Sequence, residues 1–241
     1  MSDLPMIQRL DWDSRFFGLS VGRLELNLGN NVSSSMIEDV VRGSDYDLIY
    51  VFLPVSEGRM AELEKPRSAL VSLGGRCVDL KTFYRKKIAD FACAERAAVL
   101  AKASSDRLLK LAYASGWCSR FSQDERLRPF QEQLYGLWLE KELTEGRVFV
   151  YPSEENPLGL VTVTLQNGVG RIGLVAVDAD SCGKGIGTKL LEDVEAWLRA
   201  AGARECSVVT QGMNIAACRL YEKSGFAQER QIEVWHVWSP K

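Results

Sequence analysis

Between Gly187 and Ala201 the apolar residues Leu190, Leu191, Val194, Trp197, Leu198 and Ala201 return at steps of three and four, with Lys189, Glu192, Asp193, Glu195 and Arg199 between them. That period predicts an amphipathic helix, which Gly202 ends. Glu205–Thr210 follows as a strand, and Asn214–Phe226 as a second helix closed by Gly225. Just upstream, Leu174–Thr188 reads as an apolar strand, a turn of small residues and the opening of the first helix.

The rest of the chain alternates in the same manner. Residues 7–28, with Val21, Leu24, Leu26 and Leu28 in alternation, predict one or two strands with a turn at Gly18. Asp47–Pro54 is almost wholly apolar and predicts a central strand needing cover on both faces. Glu57–Leu73 predicts a helix interrupted at Pro66, and Val78–Ile88 a returning strand. Ala94–Ser104 reads as strand or linker, and Ser105–Gly116 as a capped helix. A polar loop, Ser119–Pro129, leads to a helix over Phe130–Leu143. Strands at Val148–Tyr151, Gly159–Leu165 and Gly170–Val177 follow, the last two joined at Gln166-Asn167-Gly168. The pattern gives an α/β protein, divided as an N-terminal α/β domain over 1–98 and a second domain over 99–241.

Within this frame the turn Gly183-Lys184-Gly185-Ile186-Gly187 stands out. Glycine lets backbone approach a ligand closely, and a helix start offers unpaired N–H groups and partial positive charge, so a phosphate or pyrophosphate is the expected guest. The spacing fits neither the dinucleotide fingerprint nor the P-loop.

Composition narrows the classes. The 241 residues are 46% apolar and 26% charged, with a formal charge of -2, which gives no basic footprint for nucleic acid. The apolar runs are strand-length, and Met-Ser-Asp-Leu-Pro lacks signal-peptide regions, so a cytoplasmic protein with no membrane partner is expected. Six scattered cysteines, Cys93 among them, and one histidine argue against a metal site. His236 lies in an alternating terminal strand and reads as structural. Trp235 and Trp238 of that strand offer either a homodimer contact or buried core.

Strand, Gly-Lys-Gly-Ile-Gly, helix, strand and then Asn214-x-x-Ala217-x-x-Leu220-Tyr221-Glu222-Lys223-Ser224-Gly225-Phe226 together resemble the GCN5-related N-acetyltransferase (GNAT) superfamily, over roughly the last hundred residues. The resemblance implies a mixed, mostly antiparallel sheet with splayed parallel central strands flanked by helices, and acetyl-CoA as co-substrate. It implies a cofactor site of Val175, Ala176, Val177, Gly183, Lys184, Gly185, Ile186, Gly187, Thr188 and Asn214. Tyr221 would be the general acid that protonates the departing thiolate. Asn214 and Tyr221, seven apart, fall on nearly one helix face. A tyrosine of pKa ~10 giving its proton to a thiolate of ~8.5 works uphill by only about 2 kcal/mol. The other reading of Tyr221 is a ring packed into the core. One position departs from the family: Cys182 stands where Arg or Gln is usual, leaving Lys184 as the nearby side chain able to add charge.

A narrower resemblance rests on Trp12-x-Ser14-x-x-Phe17-Gly18, Ser119-Arg120-Phe121 and Leu134-Tyr135-x-x-Trp138. These motifs are similar to those of bacterial dTDP-fucosamine N-acetyltransferases, which implies a nucleotide-sugar acceptor in surface-polysaccharide assembly. Arg120 and Phe121 would then hold phosphate and base or sugar. The base that takes the ammonium proton stays unassigned, with Glu233 and Asp178 conceivable. Other amine acceptors and a non-catalytic acyl-CoA sensor remain as alternatives.

Overall fold

The computed structural model describes residues 6–27, 33–88 and 97–239. Leu28, Cys93 and the first residues of the Ala94–Ser104 stretch lie outside them. Contacts gather into two units, Met1–Thr82 with Arg230–Lys241, and Phe83–Glu229. Sequence suggested a division at 98/99; in these units the strand after Gly75 crosses at 82/83, and the C-terminal strand goes with the first unit.

The first unit is built from β1 (Gln8–Arg9), α1 (Asp11–Phe17), β2 (Val21–Glu25), α2 (Ser34–Arg42), β3 (Leu48–Val55), α3 (Met60–Ser72), the start of β4 (Arg76–Lys87) and most of β10 (Ala227–Trp238). β3 is the central strand expected from its apolar run. It pairs in parallel with β2 and antiparallel with β10, Leu48 facing Trp238 and Val55 facing Gln231. Ile49, Val51 and Leu53 pack with Ile37 and Val41 of α2 and Leu63 and Leu70 of α3. His236 is buried, its ring 4.7 Å from that of Tyr50, as a strand residue should be.

The strands expected within residues 7–28 are β1 and β2, with Gly18 at a turn, but residues 11–17 between them are helix. The Ser14 hydroxyl donates to the Leu10 carbonyl (2.7 Å) and accepts the Val21 N–H (3.0 Å), and Gly18 closes the turn at φ 67°. Phe17 is buried and Trp12 stacks on Phe16, so each residue of the Trp-x-Ser-x-x-Phe-Gly run has a local packing or capping role. Pro66 does not interrupt α3: it forgoes one backbone hydrogen bond while its ring is buried.

The second unit continues with β5 (Val99–Leu100), α4 (Asp106–Ser115), α5 (Arg120–Gln123), α6 (Gln131–Glu145), β6 (Arg147–Tyr151), β7 (Gly159–Gln166), β8 (Val169–Val177), α7 (Ile186–Ala200), β9 (Glu205–Gln211) and α8 (Ile215–Lys223). β5 to β8 form an antiparallel meander, and β8 then pairs in parallel with β9. The supposed loop at 119–129 thus contains α5. Leu190, Leu191, Val194 and Leu198 of α7 fill one face of this sheet together with Phe149, Val161 and Ile172. Gly170 is required there, because an added Cβ would meet Leu198 Cδ1 at 2.4 Å.

Candidate active site

The site begins with a strand that loses its partner. β8 and β9 pair in parallel from Val169/Glu205 to Ile172/Val208, where the register ends among the described residues. On the other edge, Val161 faces Val175 but Val163 faces Ile172, so Gly173 and Leu174 together oppose Thr162. This extra residue in β8 is a bulge, which bends the strand and increases its local twist. Val175–Val177 therefore runs on beside β7 with its other edge unmatched by β9.

After β8 the chain is held for a turn. Asp178 Oδ1 accepts the Asp180 N–H (3.2 Å), and the glycines that follow take φ 77° at Gly183 and 80° at Gly185, dihedrals closed to most side chains. Gly185 caps α7 without a side-chain acceptor, and no acidic residue occupies the first turn. The opening amides of a 15-residue helix thus have no side-chain acceptor. Gly187 has a different reason to be glycine: an added Cβ would stand 3.0 Å from Leu220 Cδ2, so its absence lets α7 and α8 approach.

These pieces line one cavity of about 1030 Å³. Nine of the ten expected cofactor residues are on its wall: Val175, Ala176, Val177, Gly183, Gly185, Ile186, Gly187, Thr188 and Asn214. Lys184 is not; its Nζ donates to the Asp180 carbonyl (2.8 Å) and braces the turn. Asn214 caps α8, its Oδ1 accepting the Ala217 N–H at 3.1 Å.

Tyr221 lies beneath this wall rather than on it. It is 3% exposed, with ring centroids of Tyr84 and Phe226 at 5.8 and 5.9 Å. Its hydroxyl makes no hydrogen bond among the described residues, and burial, with the Cys218 and Cys206 sulfurs nearby, pushes its pKa up so that it stays protonated.

Arg120 and Phe121 are not brought to the cavity. Phe121 is buried against Trp138 (5.9 Å), Trp138 against Tyr135 (4.8 Å), and the Arg120 guanidinium stacks on the Phe121 ring (4.6 Å). Tyr135 in turn fills the space that a side chain at Gly116 would need, 2.2 Å from such a Cβ. The Ser-Arg-Phe and Leu-Tyr-x-x-Trp motifs thus form an aromatic cluster that fixes the turn after α4.

The cavity's other wall was missed by sequence: Arg107, Lys110 and Trp117, from α4 and the turn after it. Trp117 is 61% exposed. Arg107 donates to the Pro157 carbonyl (2.9 Å) and lies 4.0 Å from Asp178. The signal was present in α4's basic residues, but nothing in one sequence says which face of α4 looks across to β8. Of the two conceivable bases, Glu233 is tied to Arg67 and to Trp235 Nε1 (2.9 Å) within the first unit, and Asp178 is tied to its turn. No helix among the described residues is long and apolar enough to cross a membrane.

An α/β sheet with a bulged strand, a parallel neighbour that parts from it and a glycine-led helix start between them is the GNAT fold, and residues 115–226 match the sequence model of the Acetyltransferase (GNAT) family. Over 114 residues the chain is 28% identical to an uncharacterized N-acetyltransferase of Bacillus subtilis (strain 168), YobR, which covers 47% of this chain and 46% of that protein. The chain thus spans under half the length of the curated relative it matches. Among solved structures, a functionally unknown conserved protein from Staphylococcus epidermidis ATCC 12228 superposes with a TM-score of 0.61 at 13% identity, covering 91% of this chain and 85% of that one. A GCN5-related N-acetyltransferase from Sphaerobacter thermophilus gives 0.50 at 15%, covering 84% and 64%.

Proposed function

We propose that this protein is an acetyl-CoA-dependent N-acetyltransferase whose acceptor is an amino group on a nucleotide-linked amino sugar. The observation that carries the donor half is one cavity holding both the unmatched edge of β8 and the uncapped start of α7. A strand edge suits the amides of a pantetheine arm, and uncapped helix amides suit a diphosphate. When bound, acetyl-CoA supplies a thioester carbonyl open to attack by a neutral amine, with the C–N bond forming as the C–S bond breaks.

The chain's own residues do the rest. The α7 amides hold the diphosphate, and an N–H of Val175–Val177 meets the carbonyl oxygen as charge builds on it. Tyr221 Oη would give its proton to the leaving sulfur, and the proton that the nitrogen sheds as the amide forms would return to that oxygen, directly or through water. Burial keeps the hydroxyl proton in place, and also makes its transfer costlier than the roughly 2 kcal/mol of an unperturbed tyrosine. Packing against Tyr84 and Phe226 is the competing role for this ring.

For the acceptor, support comes from the α4 wall. Arg107 and Lys110 favour an anionic substrate over a polyamine or a basic peptide, and the exposed indole of Trp117 suits a base or sugar face. On this reading these residues take the part that was expected of Arg120 and Phe121. Titration calorimetry with acetyl-CoA, followed by a thiol-release assay over dTDP-amino sugars, polyamines and peptides, tests both halves. Binding, with release only on sugar nucleotides, is expected; failure to bind acetyl-CoA overturns the donor, and preference for polyamines overturns the acceptor.

A further inference from the structure

The aromatic cluster after α4 leads to a single carbonyl, that of Trp117. Ser122 Oγ, on α5, shares its hydrogen between the Trp117 carbonyl at 2.6 Å and the Ser119 carbonyl at 2.8 Å, and Gln123 Nε2 donates to the Trp117 carbonyl at 3.3 Å. α5 spans only four residues, too few to be stable by its own ladder, so its neighbours hold it. The N–H groups of Ser122 and Gln123 bond the Ser119 carbonyl at 2.9 and 3.0 Å, Arg128 Nε donates to the Ser122 carbonyl at 2.9 Å, and Phe121 is buried against Trp138.

The chain entering Trp117 is held as firmly. The Gly116 N–H bonds the Tyr113 carbonyl at 3.1 Å, the Trp117 N–H bonds the Ala114 carbonyl at 3.3 Å, and the Ser119 N–H bonds back to the Gly116 carbonyl at 2.9 Å. Gly116 lies so close against the Tyr135 ring that no side chain fits there. Within residues 116–119 Gly116, Cys118 and Ser119 are buried, and Trp117 alone is exposed. A fixed backbone thus holds an indole out of the core and on the cavity wall, where its face is apolar surface that a flat ring could cover.

We propose that Trp117 is a specificity-determining residue for the acceptor, a pre-set platform on which a nucleobase lies flat, and that Ser122, Gln123 and Tyr135 are positioning residues that form its mount. The inference rests on the reading of the α4 wall as the acceptor's. The indole shares that wall with Arg107 and Lys110, whose charges suit the phosphates attached to a base, whereas Asn214, Lys223 and the start of α7 line the cavity from other elements. Tryptophan has two side-chain torsions, so on a fixed turn it has little freedom to lose on binding. A π face accepts any base, and the platform therefore favours a base-bearing acceptor over a polyamine or a bare amino sugar without reading which base it is. The Ser119-Arg120-Phe121 run then serves the acceptor through Trp117 and not by contact. Acetyl-CoA carries a base too, and the test separates the two sources.

Titration calorimetry with dTDP and, separately, with acetyl-CoA compares wild type with Trp117→Ala, Trp117→Phe, Ser122→Ala and Ser122→Thr, all in the full chain. dTDP affinity is expected to fall about tenfold or more in Trp117→Ala and to stay within about threefold in Trp117→Phe, which keeps a π face. Acetyl-CoA affinity should change by less than about twofold in both. Ser122→Ala should weaken dTDP by about threefold, and Ser122→Thr, which keeps the hydroxyl, should restore it. The NMR order parameter of the Trp117 indole N–H, measured with no ligand, should fall in Ser122→Ala and not in Ser122→Thr. Unchanged dTDP affinity in Trp117→Ala overturns the platform, and a loss of acetyl-CoA affinity in its place gives the ring to the donor's adenine. An unchanged indole order parameter in Ser122→Ala overturns the mount. Should Trp117→Ala not fold, Trp117→Leu, apolar without a π face, gives the same reading. Wild type that binds no dTDP refutes the nucleotide acceptor of the proposed function and with it the guest named here, while the mount is still decided by the indole signal.

Discussion

Tyr221 shows how far residue identity can carry a role. Its spacing from Asn214 is legible in the sequence, yet spacing cannot say how deep the ring sits, and depth decides between a proton donor and a packing group. Replacing Tyr221 by Phe removes one oxygen and leaves the contacts with Tyr84 and Phe226 intact. Turnover should then fall by about 10² or more with both KM values nearly unchanged; steady-state kinetics within about threefold of wild type assigns the ring to packing alone. Arg120 and Phe121 illustrate the opposite limit. A guanidinium beside an aromatic ring looks like a phosphate-and-base site in one dimension, but in three the guanidinium lies over the Phe121 ring and that ring meets Trp138 edge-on. Glu142 had no signal at all, because nothing in one sequence says that its Oε2 is buried. Its titration gives a second residue-scale prediction. The folded carboxyl lies above its ordinary 4.5, so the folded state binds more protons than the unfolded one once pH passes that value. The stability Glu142 contributes is then present below the unfolded pKa and lost as pH rises through the folded one, with Lys141 and Glu145 as the charges beside it. Urea unfolding at several pH values should show the stability of wild type relative to Glu142→Gln falling from acid to neutral pH; a difference that is flat or rises removes the buried acid from the account.

Among elements, α7 was the most legible, since its six apolar positions at helical steps leave no other way to bury them. α1 was the least. It spans seven residues with no side-chain N-cap, and its identity comes from Ser14 bridging to Val21, a contact no local pattern announces. The bulge in β8 was invisible for a related reason: Gly-Leu-Val-Ala-Val is as good a run for a regular strand as for a bulged one. The glycine turn before α7 was singled out from chemistry alone, and the two glycines there separate by mechanism. Gly185 needs φ 80° with open space around it, whereas Gly187 needs the room that Leu220 would otherwise contest. Gly185→Ala should therefore cost about 1–2 kcal/mol of stability from the left-handed backbone. Gly187→Ala has the helix propensity of alanine in its favour, by about 1 kcal/mol, and loses it to the push on α8. Both should weaken acetyl-CoA by about tenfold or more in calorimetry, the first by displacing the cap and the second by moving Leu220 on the cavity wall. Binding unchanged in both would mean that the diphosphate rests elsewhere.

For the whole chain, the division into units follows from where the last strand goes. Sequence alternation marked 232–238 as a strand, but a strand carries no label naming its partner, and β10 returns to pair with β3 near the start of the chain. This return also explains Glu233, which the sequence offered as a base. It is 8% exposed on β10, joined to Arg67 of α3 and to Trp235 Nε1, so its charge ties the C-terminal strand to the helix above it. Arg67 is partly exposed, so removing it strands the buried Glu233 charge at less than the ~3–5 kcal/mol of a fully buried pair, whereas replacing both by groups of like volume costs less still. Arg67→Met should therefore unfold the first unit at markedly lower urea, followed by Trp235 fluorescence, and adding Glu233→Leu should recover most of the loss. Every residue lining the cavity belongs to Phe83–Glu229, so on the proposed function acetyl-CoA affinity in folded Arg67→Met should stay within about twofold of wild type. Affinity that collapses together with the first unit would show that the second cannot hold its donor site alone, and that β10 serves the chemistry as well as the fold.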